Sequence, residues 1–197
     1  MPKSEVLTDA QCASMSAGER PPDPEIVIGL DPSIVSTGYA VLRRGDLIDA
    51  GDIRVGNDGT LAQRLERLYT EVYCKINESL GAIVVVEFPA ARKGGLYTYG
   101  SQSAILAATY GAAAATVYWA ARGLTVDRRV LTAAADAWPG ELVPRPPGTK
   151  GDKNKERRVE WVQLEYGITI PTSKARVANV ADAILLARWG EDRRNGQ

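Results

Sequence analysis

Apolar runs of strand character occur at residues 26–31, 38–43, 47–55, 82–88 and about 124–131. The first three follow one another closely, with "RRGD" (43–46) as a hairpin turn between the second and the third. "IVIGLD" (26–31) and "AIVVVE" (82–87) are almost continuously apolar, the pattern of central strands covered on both faces. Between the third and fourth strands, Leu61, Leu65, Leu68, Val72 and Ile76 recur at steps of three and four and predict an amphipathic helix. "SQSAILAATYGAAAATVYWAARG" (101–123) predicts a second helix, whose small alanine face would let another helix, such as one from a second subunit, approach closely. "WPGELVPRPPGTKGDKNK" (138–155) holds four prolines and three glycines and reads as a long mobile loop. A third helix is expected from about Glu156 to Tyr166 and a fourth from about Lys174 to Asp192. This order predicts an α/β fold: a mixed sheet with helices on its faces.

The 197 residues suffice for one such domain with a sizeable core, expected over 25–197. Residues 1–24, rich in Ser, Ala, Pro and acids, read as a flexible tail without the apolar core of a secretory signal. No run is long enough to span a bilayer. Cys12 and Cys74 are too few for a disulfide framework and point to a reducing, cytoplasmic setting. Histidine is absent, which excludes His triads, His-ligated metals and His general bases. Basic and acidic side chains balance at 24 each, so any case for nucleic acid must be local.

The two buried strands both end in an acid, Asp31 and Glu87. Ligand sites of open α/β sheets lie at the carboxyl ends of such strands. Two carboxylates at neighbouring strand ends repel unless a cation bridges them. A third acid, Asp182, sits in the apolar helix "RVANVADAILLARWG" with no basic residue three or four positions away. It pairs either with a distant arginine or with a metal, and Asn179 offers a neutral oxygen on the same face. Oxygen ligands without His or Cys suit Mg²⁺, with Mn²⁺ able to substitute. Two such ions in one site would clamp the attacking and leaving oxygens of a phosphoryl displacement.

Residues 145–158 carry six basic side chains, Arg145, Lys150, Lys153, Lys155, Arg157 and Arg158, against two acids. Beside a metal site they would contact phosphates, and Lys153 or Lys155 would reach the scissile one. After Glu87, Phe88, Tyr97 and Tyr99 interleave with Arg92 and Lys93, so the aromatics are candidates for stacking on unpaired bases. Core or lid packing is the other role open to them.

With "GLDPSIVSTGYAVL", "VVVEFP", a lysine-bearing loop and "NVADAILLA" in that order, the chain resembles the RuvC family of Holliday junction resolvases over about residues 26–190. The resemblance implies an RNase H-like fold: a mixed five-stranded sheet, its first three strands antiparallel, with helices on both faces. It also implies a homodimer that nicks four-way DNA junctions symmetrically with Mg²⁺, in a bacterial or phage-infected cell. By position, Asp31, Glu87 and Asp182 correspond to the family's catalytic acids, and Lys153 or Lys155 to its loop lysine. Asn179 stands where the family usually has an acid, which implies a weaker second metal position. Another RNase H-like nuclease on branched DNA or RNA, and a junction-binding protein with impaired chemistry, are the nearest alternatives. An actin-like or sugar-kinase nucleotide-binding domain shares the first motif, but such proteins pair two domains around the nucleotide.

Overall fold

The computed structural model describes residues 23–79, 81–89, 101–123, 129–135, 138, 142–143, 151–170 and 176–195. Five strands, β1 (Asp23–Asp31), β2 (Ser36–Arg43), β3 (Asp46–Arg54), β4 (Gly81–Phe88) and β5 (Arg129–Ala134), form one sheet in the order β3-β2-β1-β4-β5. β2 runs antiparallel to both β1 and β3, whereas β4 is parallel to β1 and β5 to β4. The expected mixed sheet is therefore present. At the β2–β3 turn Arg44 and Gly45 both take positive φ, 52° and 87°, the geometry whose twist matches a two-residue hairpin.

Among the described residues, four helices cover the two faces: α1 (Leu61–Ser79), α2 (Ser101–Arg122), α3 (Gly151–Tyr166) and α4 (Val177–Asn195). α1 starts with a reciprocal cap, in which the Gln63 amide N–H donates to Thr60 Oγ1 and the Thr60 amide N–H to Gln63 Oε1. Strand alternation then sorts the core. Ile26, Ile28 and Leu30 of β1, with Val84 and Val86 of β4, meet Leu68, Val72 and Ile76 of α1 and Ala113, Val117, Ala120 and Ala121 of α2. Val27 of β1, with Ile83 and Val85 of β4, faces α4 on the other side, where Val162 of α3 and Trp138 join the same core. The alanines of α2 thus admit α1 of the same chain.

α4 lies unusually close to the sheet. A Cβ on Gly29 would stand 2.1 Å from the Ala183 carbonyl oxygen and 2.5 Å from the Ala187 nitrogen; one on Gly38 would stand 2.1 Å from the Asn179 carbonyl oxygen. Gly190 meets the side chains of Val85 and Val27 in the same way. Glycines on β1 and β2 and small residues on α4 bring backbone almost against backbone, and every residue from Val180 to Ala187 is buried.

Several boundaries differ from the expected ones. α3 begins at Gly151, so the last five residues of the expected 138–155 loop are helical. The prolines and glycines around 144–151 hid that first turn. Trp138 and Val143, within the same stretch, are core residues. β5 runs over Arg129–Ala134, three residues past its expected end, and α4 starts and ends about three residues later than expected. Among the described residues no helix is long and apolar enough to cross a membrane.

Gly29→Ala is expected to cost about 3 kcal/mol, the upper range for overpacking, because the clash is with backbone that cannot rotate away. Thermal melts beside a Gly56→Ala control, where nothing lies within 4 Å but φ is +78°, separate crowding from backbone strain.

Candidate active site

Asp31 is the last residue of β1 and Glu87 the penultimate residue of β4. The parallel register pairs Gly29 with Val85 and Leu30 with Val86, which carries the two acids to adjacent strand ends. Both are buried, and their carboxyl groups are in hydrogen-bond contact. Because Gly29 faces α4, alternation turns Asp31 to that helix too, where Asp182 lies within its electrostatic reach. The sequence-predicted acids are therefore brought together at the carboxyl end of the central strands.

The electrostatics are those of crowded, desolvated anions. Burial raises the Asp31 pKa well above its ordinary value, and Glu87 and Asp182 raise it further; Lys155 opposes them. Asp182 is pushed up to about 6 by burial, against the lowering effect of Arg158 and Lys155.

Glu87 is gripped from both sides. Tyr110 of α2 donates its hydroxyl to Oε2 at 2.6 Å, and the Trp138 indole N–H donates to Oε1 at 3.0 Å. Burial, and then the Glu87 charge, raise the Tyr110 pKa far enough to keep the phenol a donor at any ordinary pH. Neither residue was singled out from the sequence. Trp138 lay in a stretch read as loop; the one available signal for Tyr110 was a phenol interrupting an alanine run.

Of the partners open to Asp182, the structure supplies the distant arginine. Arg158 of α3 forks onto it, Nε to Oδ1 at 2.6 Å and Nη2 to Oδ2 at 2.8 Å. Sequence spacing within one helix could not reveal a partner on another. Arg158 is thus committed to an acid rather than to the DNA contact expected of it, and its guanidinium lies 5.9 Å from the Trp138 ring. Arg157 likewise turns inward and donates to the Val143 carbonyl at 3.0 Å. Phe88, a stacking candidate, packs edge-on against Tyr118 at 5.9 Å. Asn179 donates its amide to the Ser36 carbonyl at 3.0 Å and so ties α4 to β2. Lys155 is exposed in α3 and acts electrostatically on Asp31 and Asp182; Lys153 lies one turn or less before it in α3. Arg92, Lys93, Tyr97, Tyr99, Arg145 and Lys150 lie outside the described residues.

Among the described residues no three His, Cys, Asp or Glu side chains stand ready as a set to hold a metal. Asp31 and Glu87 form the close pair, and Asp182 is held by Arg158. Two hard carboxylates close together in a buried site nevertheless suit a divalent cation, which would offset the burial and the like-charge repulsion that raise the Asp31 pKa.

Antiparallel β1 to β3, parallel β4 and β5, and acids at the ends of β1 and β4 and on α4 define an RNase H-like fold. Among solved structures, the fold is similar to that of Thermus thermophilus RuvC, with a TM-score of 0.61 and 19% identity over 87% of this chain and 96% of that one. RuvC of the same organism in complex with a Holliday junction substrate matches with a TM-score of 0.60 and 18% identity, covering 83% and 90% of the two chains. The yeast mitochondrial Holliday junction resolvase Ydc2 matches at 0.51, with 11% identity over 95% and 85%. In sequence, the chain is 38% identical over 58 residues to the crossover junction endodeoxyribonuclease RuvC of Ehrlichia ruminantium strain Welgevonden. That match takes in 26% of this chain and spans only 36% of the relative's length. No family model matches the chain.

A carboxyl whose pKa rises on folding holds its proton more tightly folded than unfolded, so stability falls as pH rises between the two values. For Asp182 that window runs from about 4 to about 6, and Asp31 adds to the loss in the same direction. Asp31→Asn is therefore expected to stabilise the protein at pH 8 by roughly 1–2 kcal/mol and to flatten the decline as pH rises above the ordinary carboxylate range. Denaturant melts across that range check it; an Asp31→Asn variant that is less stable at pH 8 would contradict the electrostatic account.

Proposed function

We propose that this chain is a structure-selective endonuclease that resolves four-way DNA junctions by Mg²⁺-dependent hydrolysis, Mn²⁺ substituting, and that it acts as a homodimer making paired symmetric nicks. The observation that carries the reading is the buried contact of Asp31 with Glu87 at the carboxyl ends of two central parallel strands, with Asp182 facing them. The RNase H-like fold and the junction-bound RuvC relative support the choice of substrate. So do Arg145, Lys150, Lys153 and Lys155 of the 145–158 segment.

In this reading Asp31 and Glu87 hold the cation, with Asp182 beside them. When bound, the cation would supply an activated water and neutralise charge on the phosphate. Tyr110 and Trp138 keep the Glu87 carboxylate in one orientation. Lys155, near the acids yet exposed, would steady the charge developing on the scissile phosphate. Arg92, Lys93, Tyr97, Tyr99, Arg145, Lys150 and Lys153 are the proposed contacts to the DNA. A second reading, a junction-binding protein with impaired chemistry, draws on the neutral Asn179 and the engaged Asp182.

Synthetic four-way junctions in Mg²⁺ and in Mn²⁺, beside flap, duplex and RNA–DNA controls, separate the two. Paired symmetric nicks are expected, abolished in Asp31→Asn and slowed about 10²-fold in Lys155→Ala. Tyr110→Phe is expected to lower the rate about tenfold, the cost typical of losing an outer partner of a metal ligand. Junction binding without cleavage, with cutting gained in Asn179→Asp, would favour the impaired reading. Neither binding nor cutting of any branched substrate would reject both.

A further inference from the structure

Three acids, Asp31, Glu87 and Asp182, meet two cationic side chains of the same chain, Arg158 and Lys155. The two cations differ in how they are held. Lys155 is exposed, with a flexible stem. Arg158 is largely buried, its side chain 15% exposed and that of Asp182 11%. Its planar fork spans both Asp182 oxygens, and its guanidinium lies near the Trp138 ring. Trp138 is itself fixed by the bond from its indole N–H to Glu87. A guanidinium held at this many points is part of the site, and it joins the Glu87 end to the Asp182 end. One turn back on α4, Asn179 brings no charge, and its amide nitrogen is committed to the Ser36 carbonyl.

Charge then limits what the site accepts. Three acids against two cations leave one net negative charge. A single divalent ion leaves the cluster one positive charge, matched to an incoming phosphate. A second would leave an excess in a largely buried place, where uncompensated charge is costly.

We infer that Arg158 takes the place of a second metal ion, neutralising Asp182 so that the site takes up one divalent cation, on Asp31 and Glu87. This rests on the cation-dependent reading of the site, which the same experiment tests separately. Metal-free full-length protein is titrated with Mn²⁺, heat of binding giving one count and the magnetic resonance signal of free Mn²⁺ another. One ion per chain is expected for the unaltered protein, and a second in Arg158→Met. Arg158→Gln keeps a donor for Asp182 while removing the charge; it carries the same expectation and serves where Arg158→Met fails to fold. Two ions on the unaltered chain, or one ion that stays one in the variants, overturns the inference. No uptake by the unaltered chain would instead remove the cation-dependent reading beneath it.

Discussion

The site depends on how near α4 comes to the sheet. Gly29 and Gly38 on the strands, with Ala183, Ala187 and Gly190 on the helix, remove the side-chain layer that normally keeps a helix and a sheet about 10 Å apart. Because the backbones nearly touch, an acid on α4 can stand among acids at the ends of β1 and β4. Larger residues at these contacts would leave the same fold with its carboxylates too far apart to act together. The glycines thus serve the chemistry through distance, not through flexibility.

That proximity has an electrostatic cost, which the surrounding side chains distribute unevenly. Glu87 receives two neutral donors, one on each oxygen. Asp182 receives a full countercharge from Arg158. Asp31 has Glu87 as its near neighbour and, among the described residues, the more exposed Lys155 to offset it, so it carries the strain of the arrangement. An amide at Asp31 would remove the repulsion together with one ligand of the proposed cation site, which is the usual opposition between stability and function.

Much of this was legible from residues alone. The apolar runs ending in Asp31 and Glu87 announced central strands with acids at their tips, and the motif order pointed to the fold. What stayed hidden was contact between elements distant in sequence. Arg158 reaches Asp182 across 24 positions, and Trp138 reaches Glu87 across 51. Local periodicity holds no record of such pairs. Composition also misled: the prolines and glycines before α3 outweighed the helix-favouring residues that follow Gly151, and a buried tryptophan was counted with the loop around it.

The order of elements along the chain has a kinetic consequence. β1 lies ahead of every other described element, and α4, which covers it, lies behind them all. During synthesis the strands therefore emerge with one apolar face waiting for a helix not yet made. Contacts of such long sequence separation slow folding, and exposed strand faces invite association while they wait. The acidic cluster cannot assemble until that last helix docks, so a ribosome-bound nascent chain that lacks α4 holds Asp31 and Glu87 without their third partner. Competence is set late, by the translation of a helix that touches the first strand.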